Sequence, residues 1–296
     1  MPEGDTIYKV ARVLRRDLVG KTLEGLYLRN RGEVAPLVGT EIRALETRGK
    51  HLLISVASEP SYTLHIHLGM KGRWDRYRAG EPWERPAYQA GARIDTAGFV
   101  HVCFRPMLAE LLTGTELFGD PRLSRLGPDL LAENLDLRDV VRRARSRAPH
   151  TVSDLLLDQS VASGLGNEYR NELLFLFELH PETPLRALGD AEIEALFAEG
   201  RSLMRANLGG WQRTTTRRVN AREPLRRGEE RTFVQGRAGK PCPRCGTAIR
   251  AGRAGDGARA TYWCPNCQPM RAGAGAAKET GRPLSRTPGH RTEPVA

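Results

Sequence analysis

The sequence predicts an α+β protein with several domains, and three observations support this prediction. Short segments with a two-residue apolar period, separated by glycine and proline, occupy residues 22–104. Residues 136–206 instead carry apolar side chains at helical spacing. Four cysteines in two close pairs follow, between residues 242 and 267. We therefore expect a β-rich first part, a helical second part joined to it near residues 115–130, and a small metal-binding module.

The β-rich part begins with a helix. Ile7, Ala11, Leu14 and Leu18 recur at helical spacing within residues 4–19, and a glycine at position 20 supplies a stop. The segments that follow have the period-two features of strands, and they are residues 22–29, 41–46, 51–56, 62–68 and 99–104. Successive short strands of this kind are typical of an antiparallel sandwich or barrel.

The second part is predicted to be helical, and the end of the chain is not. The predicted helices cover residues 136–144, 152–161, 167–177 and 190–206. Residues 268–296 contain no aromatic residue and are rich in Gly, Ala, Pro, Arg and Thr. Such a segment buries too little surface to offset its ordering entropy, so we predict a disordered basic tail.

Charge is distributed unevenly along the 296 residues, whose net charge is +11. Residues 1–200 contain 26 basic and 29 acidic side chains, whereas residues 201–296 contain 20 basic and 6 acidic ones. A cationic segment on a nearly neutral body suggests a polyanionic partner, with nucleic acid first and an acidic membrane surface second.

Several classes of protein are disfavoured. No window approaches the roughly 18 consecutive apolar residues of a membrane helix. The first residues are acidic and lack the basic and apolar regions of a secretory signal. Five cysteines, four of them in close pairs, fit metal binding in a reducing cytosol better than a disulfide framework. We therefore expect a soluble, cytosolic protein.

The paired cysteines predict a zinc site. They form two Cys-x-x-Cys motifs separated by 18 residues, and they are Cys242, Cys245, Cys264 and Cys267. Four thiolates suit one closed, tetrahedral and therefore structural Zn²⁺ ion, and a redox dithiol is the alternative. Cys103 lies in an apolar strand and is interpreted as a buried core thiol.

Six sequence features in the same order characterise one known family. They are Met1-Pro2-Glu3-Gly4, Arg48-Gly49-Lys50, His67-Leu68-Gly69-Met70, Leu126-Gly127-Pro128-Asp129, Gly164-Leu165-Gly166-Asn167 and the four-cysteine module. Together they resemble the Fpg/Nei family of DNA glycosylases from residue 1 to about residue 268. The first feature looks more like the endonuclease VIII branch, which favours oxidised pyrimidines. The third is closer to the formamidopyrimidine branch.

The resemblance implies a fold and a partner. Members have an N-terminal helix with a two-layered β-sandwich, a helical domain with a helix–two-turn–helix, and a C-terminal zinc finger built on a β-hairpin. In this chain the expected units are a catalytic domain at 1–115, a DNA-binding helical domain at 116–230, the zinc finger at 231–268 and the tail at 269–296. We expect a monomer that binds damaged double-stranded DNA, located in the bacterial cytoplasm with the nucleoid.

The resemblance also implies the catalytic residues of a bifunctional glycosylase and abasic-site lyase. After removal of the initiator methionine, Pro2 presents a secondary amine, whose neutral fraction near pH 7 is usable for attack on C1′ of the sugar. Glu3 matches the general acid, which needs a pKa raised by burial. Lys50 matches a lysine that contacts phosphate and assists β-elimination, and Arg259 matches the zinc-hairpin arginine tied to δ-elimination. Thr6 departs from the family's usual glutamate.

Further residues match the DNA-binding set. Asn167 corresponds to an asparagine that contacts phosphate, and Arg125 corresponds to a DNA-binding arginine. Met70 matches an apolar wedge that fills the stack vacated by an extruded nucleotide. His65 and His67 alternate on one predicted strand, and we interpret both as strand-face residues close to DNA.

Three alternatives stay open. The first alternative is a member of the same family that prefers an oxidised purine to an oxidised pyrimidine. In a different class, a non-catalytic zinc-ribbon protein would explain the basic end and the cysteines without chemistry. A ribosomal helix–two-turn–helix protein leaves the β-rich part unexplained. The Pro2-Glu3 pair favours an enzyme, because a binding protein needs no terminal secondary amine beside a carboxylic acid.

Overall fold

The computed structural model describes residues 2–210, 212–216, 229–255 and 257–271. Its architecture confirms the predicted fold class of a helix with a β-sandwich, a helical domain and a C-terminal hairpin. Helix α1 spans Gly4–Leu18. Gly20 follows it with a left-handed φ of 77°, which a glycine adopts without strain.

Two antiparallel sheets follow α1. The first sheet contains β1 (Gly25–Leu28), β2 (Gly32–Glu33), β6 (Arg73–Arg78), β7 (Ala90–Thr96) and β8 (Phe99–Phe104). Its spatial order is β2–β1–β7–β8–β6. The second sheet contains β3 (Ile42–Arg48), β4 (His51–Val56), β5 (Tyr62–His67) and β9 (Leu108–Thr113). Its order is β3–β4–β5–β9.

One core joins the two sheets and α1, which resolves the choice between a sandwich and a barrel in favour of a sandwich. Leu28 and Ile94 of the first sheet, Leu52 and Ile66 of the second, and Leu18 of α1 belong to the same buried cluster. Burying this apolar surface is the main force that holds the layers together. The thiol at position 103 is fully buried in this core, as expected.

Four strands of the two sheets were not predicted, and three of them, β2, β6 and β9, lack a clear period-two pattern. In β6 four of six residues are charged, and most of its side chains are at least partly exposed at the sheet edge. In β9 the leucines at 108, 111 and 112 have helical spacing, although the segment pairs with β5. β2 has only two residues, and β7 opens with the weak strand formers Ala and Gly.

The helical domain contains α2 (Gly114–Gly119), α3 (Pro121–Ser124), α4 (Leu137–Arg147), α5 (Val152–Leu157), α6 (Asn167–Leu176) and α7 (Asp190–Ala206). Predicted helix 152–161 ends early, because the Asp158 carboxylate accepts hydrogen bonds from the amide and hydroxyl of Ser160. The turns between α5 and α6 form the expected helix–two-turn–helix. Leu155, Leu165 and Phe197 lie in one buried core.

The hairpin of β10 (Arg250–Ala254) and β11 (Arg259–Trp263) packs on α6. Glu172 of α6 is fully buried and accepts hydrogen bonds from the amides of residues 233, 234 and 235 at 2.7, 2.9 and 2.8 Å. This carboxylate ties the segment before the hairpin to the helical domain.

From position 272 onward the predicted disordered tail lies outside the described residues. At its first position the prediction is wrong, because Gln268 is fully buried and its side-chain amide donates to the carbonyl of Leu179 at 2.8 Å. Among the residues that the structure describes, no helix is both long enough and apolar enough to cross a membrane.

Candidate active site and zinc centre

A cleft of about 700 Å³ brings together most of the predicted site residues. Residues from the β-sandwich, the helical domain and the hairpin line it, and they include Pro2, Lys50, Met70, Asn167 and Arg259. These positions are far apart in sequence, so only the fold assembles them. A cleft between domains lined by few convergent polar groups is typical of an active site.

Glu3 is fully buried beside Pro2 and Gly166, which line the cleft, and it joins the N-terminal segment to the helical domain. Its carboxylate oxygens accept hydrogen bonds from the amides of Gly166 and Glu168, both at 2.8 Å. The amide of Gly4 donates to the carbonyl of Gly164 at 2.9 Å. Glu3 precedes α1 but caps α6 instead, since it satisfies two amides at the start of that helix.

Gly166 makes this contact possible. A Cβ at position 166 would lie 2.5 Å from the Cδ atom and 2.6 Å from the Oε1 atom of Glu3. No side chain larger than hydrogen fits between the helix start and the carboxylate. The glycine therefore serves a close approach within the protein.

The electrostatics of Glu3 and Lys50 follow from burial. Burial raises the pKa of Glu3, and Arg213 and Lys50 oppose this rise. Burial lowers the pKa of Lys50, while Glu3 opposes the fall. Both pKa values are therefore shifted toward the neutral forms, and the raised pKa of Glu3 suits a proton donor.

The turn that carries Lys50 is held from the helical domain. Gly49 adopts a φ of 57° and donates its amide to Oδ2 of Asp129 at 2.8 Å. The Nζ atom of Lys50 donates to the carbonyl of Leu165. Lys50 thus reaches the loop that Glu3 also contacts, and its position depends on both domains.

Arg259 begins β11 and is placed by side chains of α6. The side chains of Asn167 and Arg170 donate to the Ala260 carbonyl at 2.7 and 3.0 Å, and Arg170 also donates to the Thr261 hydroxyl at 2.7 Å. Arg170 is fully buried. These bonds fix the strand next to Arg259 and couple the hairpin to α6.

Met70 is 68% exposed, as a wedge residue requires. Met107, which no sequence pattern singled out, lines the same cleft and is 70% exposed. His67 also lines the cleft, and its closeness to DNA stays a prediction. The interpretation of His65 is wrong, because its ring is fully buried and bonds to His51 at 2.8 Å and to Glu110 at 3.1 Å.

Three further residues differ from or extend what the sequence indicated, and they are Arg125, Thr6 and Gln159. Arg125 is exposed at the end of α3 and is not among the described residues that line the cleft, so its role in DNA binding stays a prediction. The hydroxyl of Thr6 accepts a hydrogen bond from Arg213 at 3.0 Å. Gln159 also escaped sequence analysis, although its amide bonds both Gly164 and Leu165.

The four cysteines converge as a metal site requires. All four Sγ atoms lie within 4.8 Å of one another, and they belong to Cys242, Cys245, Cys264 and Cys267. Two of the Sγ–Sγ distances are 3.5 and 3.9 Å. A tetrahedral zinc ion with bonds of about 2.3 Å needs sulfur atoms about 3.8 Å apart, so this donor set fits Zn²⁺.

The fold and both sites define a class of protein. Models of the formamidopyrimidine-DNA glycosylase N-terminal domain, its H2TH domain and a zinc finger found in FPG and IleRS match residues 1–124, 126–218 and 239–269. The chain belongs to the Fpg/Nei family. The zinc-finger match and the four-cysteine cluster together identify a zinc-binding site.

Particular relatives are named after both branches. The chain is 37% identical over 273 residues to a probable endonuclease 8 of Streptomyces coelicolor, covering 90% of this chain and 94% of that one. It is 36% identical over 270 residues to a DNA-(apurinic or apyrimidinic site) lyase of Mycolicibacterium smegmatis, covering 90% and 99%. It is 32% identical over 284 residues to a formamidopyrimidine-DNA glycosylase of Latilactobacillus sakei, covering 90% and 98%.

Solved structures share the fold. Lactococcus lactis Fpg with abasic-site DNA superposes with a TM-score of 0.74 at 22% identity, covering 91% of this chain and 100% of that chain. MutM with DNA containing carbocyclic 8-oxo-G gives a TM-score of 0.74 at 24% identity, with the same coverage.

The Gly166→Ala substitution should destabilise the protein by about 2 kcal/mol, because an inserted methyl group overpacks the buried Glu3 carboxylate. Urea unfolding measures this loss. Gly189→Ala is the matched control, since Gly189 also precedes a helix but its Cβ would meet only the Glu192 carboxylate at 4.0 Å. Equal stability of the two variants would contradict the tight contact.

The Cys264→Ser substitution should lower the zinc content, because the fully buried Sγ of Cys264 is one of four converging ligands. Elemental analysis of purified protein should find near-stoichiometric zinc in the wild type and in the Cys103→Ala control. A zinc-free wild type that retains full DNA affinity would contradict a structural metal.

Proposed function

We propose that the protein is a base-excision DNA glycosylase with abasic-site lyase activity, acting on damaged double-stranded DNA. The observation that carries this proposal is that Pro2 and Lys50 line one cleft, while the buried carboxylate of the adjacent Glu3 binds the amide of Gly166, which lines the same cleft. The names of the relatives, endonuclease 8 and DNA-(apurinic or apyrimidinic site) lyase, support it. The basic C-terminal third supplies attraction to phosphate.

The covalent step uses Pro2 as the nucleophile, once removal of Met1 frees its secondary amine. The nitrogen attacks C1′ and loses its proton, while the glycosidic bond breaks and its electron pair leaves with the base, which takes up a proton. The C1′–O4′ bond then opens as O4′ accepts the proton of Glu3, and an iminium forms between the nitrogen and C1′. This iminium is an electron sink, so a proton can leave C2′ as the 3′ phosphate departs in β-elimination. Residue 2 lines the cleft and is partly buried, so its amine can meet a nucleotide extruded there.

The neighbouring residues take complementary roles. Glu3 protonates the sugar as its ring opens, and burial raises its pKa for that task. Lys50 contacts a phosphate and assists β-elimination, and Arg259 holds the phosphate that leaves in δ-elimination. Asn167 contacts a phosphate, Arg125 binds DNA, and Met70 fills the vacated stack.

The preferred lesion is proposed to be an oxidised pyrimidine. The Met-Pro-Glu-Gly opening supports this, as does a relative at 37% identity named probable endonuclease 8. An oxidised purine is the alternative, since a relative at 32% identity is named formamidopyrimidine-DNA glycosylase.

The zinc, the assembly state and the location complete the proposal. One Zn²⁺ ion per chain is structural and holds the base of the hairpin that carries Arg259. The protein acts as a monomer in the cytoplasm, associated with the nucleoid. A non-catalytic binding protein of the same fold would leave the Pro2, Glu3 and Lys50 arrangement without a purpose.

Borohydride should trap a covalent protein–DNA adduct, because Pro2 attack on C1′ produces a reducible iminium. The wild-type protein is incubated with duplex DNA carrying thymine glycol, and peptide mapping locates the adduct. We expect it at residue 2. A control protein extended at its N-terminus lacks the free amine and should give no adduct. Equal trapping by the extended protein would contradict the role of Pro2.

Thymine glycol and dihydrouracil should be removed faster than 8-oxoguanine opposite cytosine. Single-turnover rates on matched duplexes measure the preference at fixed salt concentration, because affinity for DNA depends strongly on salt. A higher specificity constant on 8-oxoguanine would reverse the assignment to oxidised pyrimidines while leaving the chemistry of Pro2 intact.

A further inference from the structure

Arg213 is a buried cation next to the proposed proton donor. It follows α7, and its side chain is only 8% exposed. The guanidinium lies 4.8 Å from the ring centroid of Tyr169. A buried arginine is stable only when carboxylates or other acceptors surround it.

The guanidinium links its own segment, which follows α7, to α1 and α6. Its Nη2 atom donates to Oδ1 of Asp5 at 2.5 Å and to the hydroxyl of Thr6 at 3.0 Å, both on α1. Its Nη1 atom donates to Oε2 of Glu168, on the first turn of α6, at 2.8 Å. The planar fork of arginine suits such divergent acceptors better than a lysine would.

Glu3 lies within reach of the same charge without being hydrogen-bonded to it. The Nη1 atom of Arg213 is 3.8 Å from Oε1 of Glu3. Two backbone amides already bind the carboxylate of Glu3. Arg213 therefore acts on Glu3 through the electric field and through the segments that it holds in place, and not through a shared proton.

We propose that Arg213 is a positioning residue for Glu3, which fixes the start of α1 against α6 and whose charge opposes protonation of the Glu3 carboxyl. This inference rests on the proposed role of Glu3 as general acid. Glu168 has the opposite effect, because its carboxylate repels the charge of Glu3 and competes for Arg213.

Other charged groups lie near Glu3 and Arg213 and also influence the pKa of Glu3. Glu3 is faced by Lys50 from the β3–β4 turn and by Glu168 and Arg170 from α6, and Arg213 is faced by Asp5, Glu168 and Tyr169. Lys9 shares Asp5 with Arg213, at 3.1 Å. Burial raises the pKa of Glu3, Arg213 and Lys50 lower it, and Glu168 adds to the rise.

The test is the pH dependence of base removal, measured as kcat/KM on thymine glycol duplex DNA. A general acid must carry its proton, so activity falls on the alkaline side as Glu3 ionises. Arg213→Gln removes the opposing charge and should move this fall upward by about one pH unit. Arg213→Lys keeps the charge and should largely restore the wild-type position.

Glu168→Gln supplies a shift of the opposite sign. It keeps the backbone amide that binds Glu3 but removes a nearby negative charge, so the alkaline fall should move to lower pH. Arg145→Gln is the matched control, because Arg145 pairs with Asp190 and bonds the carbonyl of Leu188. This control should leave the pH profile in place.

The outcomes separate the inference from the proposed function. Opposite shifts in Arg213→Gln and Glu168→Gln would support it, and Arg213→Met, which also removes the charge, takes the place of Arg213→Gln if that variant fails to fold. An active wild type whose alkaline fall stays in place in the folded variants would overturn this inference alone. A wild type that removes no base from any lesion would overturn both.

Discussion

The burial of the Glu3 carboxylate against the start of α6 is the interaction on which the site depends. Helix α6 begins at Asn167. Gly166 occupies the N-cap position but has no side chain that could accept hydrogen bonds from the first amides of the helix. Its first amides would be unsatisfied without the carboxylate, and the carboxylate would be buried without partners. Each domain therefore supplies the hydrogen-bond partners that the other needs. This contact holds the N-terminal segment at the cleft with little conformational freedom.

The same loop also positions the lysine. The carbonyl of Leu165 accepts the Lys50 amine, while Asp129 binds the amide of Gly49. Gly49 cannot carry a side chain, because its Cβ would lie 2.7 Å from Cβ of Ser163. Pro2, Glu3 and Lys50 are thus all held by the loop that precedes α6. Backbone geometry therefore sets the distances between them more than flexible side chains do.

Sequence analysis could find what local spacing or backbone geometry specifies. The cysteine pairs, the glycines near Asn167 and the helix of α7 follow short-range rules, and the structure agrees with them. Gln159 and Met107 carry no such signature, since their function arises from neighbours distant in the chain. The interpretation of His65 was wrong for the same reason. Its burial depends on Glu110 of β9 and on Asp120, which are distant from it in the sequence.

Substrate binding should act on the same balance of charges. In the free protein Arg213 and Lys50 favour the ionised form of Glu3, whereas burial favours the neutral form. A DNA phosphate bound at Lys50 and Arg259 would bring negative charge into the cleft and offset those cations. The carboxyl then holds its proton more tightly when the nucleotide arrives. In the proposed mechanism this makes Glu3 a donor when the sugar needs one, without any movement of its buried side chain.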